Sequence, residues 1–173
     1  MAAPRIDRPA GRGARGRRTV NTEPRPVPGM PAMLATQPSR RGLSDAGWPE
    51  PLALTHTNGY GGFSADGREY VIDLAPAQTT PMPWSNVVGY PDFGFMATEG
   101  GSQTTWAVNS GENRLTPWSN DPVTDASGEA LYLRDEETAD LWSPTLLPAG
   151  APVRHRIRHG AGYTIYESAS HGL

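Results

Sequence analysis

The residues best suited to chemistry lie in one short segment, residues 114–122, which reads Arg-Leu-Thr-Pro-Trp-Ser-Asn-Asp-Pro. Its two prolines lack backbone N–H donors and disfavour a helix, which predicts a stiff, exposed loop. An indole beside an amide and a guanidinium offers a flat apolar surface edged by hydrogen-bonding groups. A sugar ring is complementary to this surface, because its C–H faces stack on indoles and its hydroxyls pair with polar groups. We therefore take Arg114, Trp118 and Asn120 as candidate sugar-binding residues.

A second copy of part of this segment occurs earlier in the chain. Residues 83–86 and residues 117–120 both read Pro-Trp-Ser-Asn, so each places an indole just before a hydroxyl and an amide. This repetition adds Trp84 and Asn86 to the candidates for sugar contact. Two other tryptophans, Trp106 and Trp142, lie in strand-like sequence and are predicted to be core aromatics.

The carboxylates and histidines give weaker indications of a functional site than the tryptophan segments do. A glycosidic general acid needs a raised pKa in an apolar pocket, and the polar sequence around the acidic residues does not indicate one. We predict that seven of them are solvated surface charges: Glu112, Asp121, Asp125, Glu129, Asp135, Glu136 and Glu137. On a strand, His155 and His159 would share one face about 13 Å apart, too far to chelate one ion. The sequence predicts no metal site and no cofactor.

Composition divides the chain into two parts. Residues 1–41 contain nine Arg and two acidic residues, whereas residues 42–173 contain six Arg and sixteen acidic residues. The Arg-, Pro- and Gly-rich segment 1–45 cannot bury enough apolar surface to order itself, so we predict a disordered tail. Residues 46–173 form the predicted folded domain, whose acidic charge argues against nucleic-acid binding.

Several classes of protein are disfavoured by what the sequence lacks. There is no Cys, which excludes disulfides and thiolate metal sites. The sequence has no run of 18 apolar residues, so it predicts no membrane-spanning helix. The amino-terminal arginines are not followed by the apolar region of a signal peptide. These features favour a cytoplasmic location.

The elements that must position the candidates are short strands. Alternating or apolar runs separated by turn residues predict strands at 60–63, 69–74, 86–88, 94–98, 104–108, 130–134, 153–159 and 163–167. Asp66-Gly67 and residues 160–162 are hairpin signals, and residues 135–141 give a single short helix candidate. This pattern favours an all-β, antiparallel β-sandwich.

A series of motifs carries a family resemblance. In chain order they are residues 58–63 (Asn-Gly-Tyr-Gly-Gly-Phe), 66–72, 80–86, 91–95, 131–135, 142–144 and 158–163 (Arg-His-Gly-Ala-Gly-Tyr). Together they resemble the amino-terminal sandwich domain of the family once called glycosyltransferase 36, now glycoside hydrolase family 94. Its members are cellobiose-type phosphorylases and the phosphorylase-like part of cyclic β-1,2-glucan synthases. The resemblance covers residues 51–173, and the tryptophan-rich form is closer to the synthase branch.

The resemblance implies a galactose-mutarotase-like supersandwich, of which this chain would hold an incomplete portion. In such proteins a helical α/α-barrel comes next, and it carries the catalytic acid and the phosphate-binding residues. The resemblance thus implies a glucan phosphorylase or synthase context without settling whether this chain is itself an enzyme. It also implies a β-glucan or glucooligosaccharide ligand, the barrel as partner and a homodimer. His159 falls in a family motif and joins the sugar-binding candidates.

Two other functions stay open on the sequence alone. A free-standing carbohydrate-binding module could use the same indole loops. A structural domain could instead use its Arg-rich tail to bind anionic partners. A full-length synthase would be membrane-associated, although this chain has no predicted membrane segment.

Overall fold

Short strands joined by turns make up the part of the chain described by the computed structural model: residues 35–38, 48, 50–119, 121 and 123–171. These residues belong to one compact unit, Leu34–Leu173, and contain no helix. The strands are β1 (Gln37–Pro38), β2 (Leu54–Thr55), β3 (Gly61–Ser64), β4 (Glu69–Leu74), β5 (Ser85–Gly89), β6 (Phe93–Thr98), β7 (Gln103–Ala107), β8 (Leu133–Arg134), β9 (Asp140–Trp142), β10 (His155–Gly160) and β11 (Tyr163–Ser168). The predicted all-β class is confirmed.

The strands form three sheets. A five-stranded sheet has the order β11-β10-β4-β3-β2, and all its pairs are antiparallel. Consecutive strands β5, β6 and β7 form an antiparallel meander, here called the meander sheet. A small mixed sheet has the order β1-β9-β8, with β1 parallel to β9.

The core lies on one face of the five-stranded sheet. Ile72 and Leu74 of β4 and Ile157 of β10 are buried there because every second residue of a strand faces the same way. Partly buried side chains packed against these three are Tyr60, Tyr70, Trp84, Leu146 and Tyr166. The candidate indole Trp84 is thus part of the core wall.

The opposite face of the same sheet carries a ladder of paired charges. Arg154 and Arg156 both contact the Asp73 carboxylate, at 2.7 and 3.1 Å, and Arg158 contacts Glu69 at 2.7 Å. The strand predicted at residues 153–159 is β10, which begins at His155, one residue after Arg154. In the sheet β10 lies between β11 and β4, and Arg156 is only 2% exposed. The Arg158 guanidinium beside Glu69 holds the pKa of that carboxyl below its usual value.

Both predicted hairpin turns are confirmed. Gly67 has φ +70° between β3 and β4, and its N–H donates to the Ser64 carbonyl at 2.9 Å. Gly162 has φ +89° between β10 and β11. These are left-handed conformations that glycine adopts without a steric cost.

The helix candidate at residues 135–141 is wrong. The segment is the turn between β8 and β9, and Asp140 already belongs to β9. The Asp135 carboxylate accepts the N–H groups of Glu137 and Thr138, at 2.8 and 3.2 Å. This side-chain capping stabilises a turn in place of a helix.

Two further differences concern strand limits. The strand predicted at residues 130–134 is confined to Leu133–Arg134. Gln37–Pro38, placed by the sequence within the tail 1–45, forms β1 and pairs with β9. Most of that tail lies outside the described residues.

Candidate functional site

One face of the meander sheet is exposed along β5 and partly covered along β6 and β7. Ser85 and Val87 of β5 are exposed, and their cross-strand partners on β6 are Thr98 and Met96. Thr104 of β7 lies opposite Met96 and therefore shares this face. We call this surface the outer face of the meander sheet.

Trp106 lies on the outer face, although its strand-like sequence predicts a core position. It pairs with Gly94 across β6 and β7, and its side chain is only partly buried. A Cβ at position 94 would overlap the indole atoms of Trp106. The ring therefore rests directly on the backbone of β6, an approach that only glycine permits.

The segment that comes after β7 is anchored along its edge. The Leu115 N–H donates to the Thr105 carbonyl at 2.9 Å, and the Thr105 N–H donates to the Thr116 hydroxyl at 2.9 Å. A Cβ at Gly128 would come within 2.6 Å of the Pro117 carbonyl, so a neighbouring segment also passes close to this one. The backbone before Trp118 is thus fixed by hydrogen bonds and close packing, in the non-helical form that its prolines predict.

Arg114 and Trp118 form a stacked pair at this edge. The Arg114 guanidinium lies 3.9 Å from the centroid of the Trp118 ring, a cation–π geometry. Its Nε donates to the Ser110 carbonyl at 2.9 Å, which orients the guanidinium. Trp118 remains 46% exposed, a large fraction for an indole. Their predicted neighbour Asn120 lies outside the described residues.

Trp118 lines a surface cavity of about 330 Å³ on the outer face. Apolar atoms come from Met82, Met96 and Pro83, and hydroxyls come from other lining residues: Ser85, Thr98, Ser102, Thr104 and Ser119. Asp121 and Asp125 add two carboxylates to the lining. An indole and thioethers beside hydroxyls and carboxylates present the apolar and hydrogen-bonding groups that a sugar ring can use.

The two carboxylates differ in environment. Asp121 is exposed, and hydrogen bonds, first from the Thr124 hydroxyl, lower its pKa. Asp125 is half-buried, and its Oδ2 accepts from the Thr98 hydroxyl at 2.7 Å. Burial raises the pKa of Asp125 above its usual value. The prediction that Asp125 is a solvated surface charge is therefore wrong, because the loop folds its side chain back onto the end of β6.

Trp84 occupies a different environment from Trp118. Its ring meets Tyr60 and Tyr70 edge-on, with centroid distances of 5.8 and 5.9 Å. Its backbone N–H donates to Glu99 Oε2 at 2.6 Å, and the Thr80 hydroxyl donates to Glu99 Oε1. Burial raises the pKa of Glu99, but both of its oxygens accept hydrogen bonds from the protein. Trp84 and Glu99 thus hold the start of β5 against the core.

Asn86 and His159 join the meander sheet to the β10–β11 hairpin. Asn86 Nδ2 lies 2.9 Å from each of the carbonyl oxygens of Gly160 and Tyr163, and 3.2 Å from the Thr164 hydroxyl oxygen. His159 Nδ1 lies 3.0 Å from the same hydroxyl. Burial lowers the pKa of His159, which favours its neutral form. These two candidates therefore lie at a contact between sheets.

The structure thus separates the predicted residues into two groups. Arg114 and Trp118 lie together on the outer face, whereas Trp84, Asn86 and His159 lie on the inner side of the meander sheet. Sequence reasoning missed the contribution of Trp106 and Met96 to the outer face. The sequence did contain a signal for this, because Gly94 and Met96 are two residues apart in a predicted strand and therefore share a face. A glycine within a strand often marks a place where another group packs closely on the backbone.

A family comparison agrees with this architecture. Residues 68–173, more than half of the chain, match the family described as glycosyl hydrolase 94, supersandwich domain. The chain belongs to this family. The resemblance drawn from the ordered motifs is therefore confirmed.

Individual relatives of this glycosyl hydrolase 94 chain are much longer proteins. It is 38% identical over 121 residues to cyclic beta-(1,2)-glucan synthase NdvB of Rhizobium meliloti (strain 1021), covering 69% of this chain and 4% of that protein. It is 30% identical over 117 residues to N,N'-diacetylchitobiose phosphorylase of Vibrio furnissii, covering 66% of this chain and 14% of the phosphorylase. The corresponding phosphorylase of Vibrio proteolyticus is 29% identical over 117 residues. The chain thus matches only a small part of each relative.

Neither a membrane span nor a metal cluster occurs among the described residues. No helix in them is long and apolar enough to cross a membrane. No group of three or more His, Asp or Glu side chains in that part of the chain could hold a metal ion.

Proposed function

We propose that this chain is the carbohydrate-binding portion of a glucan phosphorylase or a cyclic β-1,2-glucan synthase-type protein. The observation that carries the proposal is the exposed indole of Trp118 beside a cavity of about 330 Å³ lined with hydroxyls and carboxylates. An aromatic ring that is unfavourably exposed to water gains from covering a sugar face. Arg114 keeps the indole in position and leaves guanidinium N–H groups for sugar hydroxyls.

The wider protein context is part of the same proposal. The relatives include a cyclic glucan synthase and chitobiose phosphorylases, so a β-linked oligosaccharide is the ligand class that we propose. Bond cleavage would belong to an α/α-barrel partner, with this domain shaping the glucan site and supporting a homodimer. We also propose the cytoplasmic location that the sequence favours. We propose structural roles for three of the candidates, Trp84, Asn86 and His159. Asn120 stays a sugar-binding candidate predicted from the sequence.

Binding to the purified 173-residue chain tests the proposal. Isothermal titration with β-1,2-glucooligosaccharides and with N,N'-diacetylchitobiose should show saturable binding of at least one of them. Trp118→Ala should weaken that binding by about tenfold or more, because the stacking surface is lost. Trp118→Tyr should retain part of the affinity.

A matched control is Leu115→Ala. Leu115 is 57% exposed in the same segment but does not line the cavity, so its loss should leave the affinity unchanged. Wild-type affinity in Trp118→Ala would reject this site. Absence of binding by the wild-type chain would reject carbohydrate binding by this domain.

A further inference from the structure

Trp106 and Trp118 lie on the same side of the meander sheet. Trp106 and Arg114 are bridged partners in an antiparallel pairing, so their side chains project to one face. The Arg114 guanidinium in turn stacks on Trp118. An indole, a guanidinium and a second indole are therefore arranged in that order across the edge of this sheet.

The surface between the two indoles is also suited to a ligand. Thr104 lines the cavity beside Trp118 and lies two positions before Trp106 on β7, an advance of about 7 Å. Met96, opposite Thr104, supplies an adaptable apolar floor. Trp106 is thus the next residue on the same face of β7 after Thr104, which lines the cavity.

Gly94 controls how Trp106 is presented. Because position 94 has no Cβ, the indole rests on the β6 backbone instead of standing away from it. A ring supported by backbone on one side is a rigid platform, which loses little conformational entropy when a ligand covers it. A core role alone does not account for this arrangement, because the neighbouring residues Val87 and Gly89 of β5 are exposed.

We propose that the outer face is an extended site for a linear, uncharged oligosaccharide, with Trp106 as a second stacking platform beside Trp118. This inference rests on the proposed carbohydrate function and adds that affinity increases with the length of the ligand. A short sugar covers Trp118 alone, whereas a longer chain reaches Trp106 as well. The Asp121 and Asp125 carboxylates disfavour an anionic polysaccharide at the same place.

The dependence of affinity on chain length tests the second platform. Titrations would use β-1,2-linked and β-1,4-linked glucooligosaccharides of two, four and six units. For the wild-type chain, affinity for the preferred linkage should rise by roughly tenfold from the shortest to the longest ligand. Trp106→Ala should abolish this rise while leaving the affinity for the disaccharide unchanged. Trp106→Phe should keep part of it.

Two further variants separate the outcomes. Gly94→Ala keeps the indole but displaces it, so it should also reduce the gain with length. Trp118→Ala should weaken ligands of every length. Thermal unfolding of each variant would show that the fold is retained, and the indole N–H resonance of Trp106 should shift only with the longer ligands.

The results distinguish this inference from the proposed function. If Trp118→Ala weakens binding but Trp106→Ala leaves the length dependence intact, the second platform is rejected and the carbohydrate site stands. An equal loss for all lengths in Trp106→Ala would also reject it, since that would indicate a structural role. No binding of any oligosaccharide would reject both proposals.

Discussion

The tetrapeptide Pro-Trp-Ser-Asn occurs at residues 83–86 and again at residues 117–120, in opposite surroundings. Trp84 is held edge-on between two tyrosines at the core, whereas Trp118 is 46% exposed and stacked on a guanidinium. Asn86 continues from Trp84 into β5 and bonds to the β10–β11 hairpin. The segment before Trp118 instead lies along the edge of β7.

The difference shows that the four residues determine which chemical groups are present but not whether the indole is buried in the core or exposed at the surface. The residues after each copy determine its environment. Residues 83–86 run into β5, in which exposed and partly buried positions alternate. The indole of Trp84 at the start of this strand therefore packs against the core. Residues 117–120 lead into a polar loop, so the indole stays at the surface. Three measurements test this contrast between the two copies.

The largest expected effect is on stability. Trp84→Ala should lower the free energy of unfolding by about 3 kcal/mol, since it leaves a cavity against Tyr60 and Tyr70. Trp118→Ala should lower it by less than about 1 kcal/mol, because the ring is half exposed. Chemical denaturation monitored by circular dichroism measures both values. Equal losses would remove the distinction between the two indoles.

The second effect concerns the amide two residues after Trp84. Asn86→Ala should cost about 1–3 kcal/mol, because the carbonyls of Gly160 and Tyr163 lose a donor. Ser119→Ala, at an exposed position in the other copy, is the control and should be close to neutral. Amide hydrogen exchange should show faster opening of the β10–β11 hairpin in Asn86→Ala only. Unchanged exchange there would contradict the linking role of Asn86.

The smallest effect is a pH dependence near Asn86. Burial lowers the pKa of His159 below the ordinary value of 6.5, so the folded state favours the neutral ring. Its contribution to stability is therefore complete above about pH 6.5 and is lost as the pH falls through the lowered value. His159→Gln should reduce the loss of stability on acidification from pH 7, measured as the change in melting temperature.

The exposed His56 provides the control for that titration. His56→Gln removes an imidazole from an exposed position and gives the reference curve with which His159→Gln is compared. His155 is also buried with a lowered pKa, but it is present in both variants and cancels in the comparison. A steeper acid dependence in His159→Gln would contradict the assignment.

Strands with strong local signals were predictable from sequence. β4 has the predicted bounds, residues 69–74, because an apolar run comes soon after the Asp66-Gly67 turn. The β10–β11 hairpin was predictable for the same reason, since a glycine-containing turn separates two alternating runs. In both cases the periodicity and the turn indicate the same structure.

The rest depended on contacts that the local pattern does not contain. The helix signal at 135–141 failed because the Asp135 side chain caps a turn, an interaction that periodicity does not reveal. The position of Trp106 depends on Gly94 of the neighbouring strand, and the half-buried position of Asp125 depends on Thr98. Cross-strand register determines these last two environments, and register is set by the whole sheet.

The charged ladder along β10 has a consequence for how this sheet assembles. A slip of one residue between β4 and β10 would turn the guanidinium groups of Arg156 and Arg158 toward the apolar side, at a severe desolvation cost. Misaligned pairings of these strands are therefore disfavoured, because they would bury unpaired charges. The arginines therefore help to fix the register between β4 and β10. Inserting one residue after Gly160 should disrupt the pairing of β11 without shifting β10.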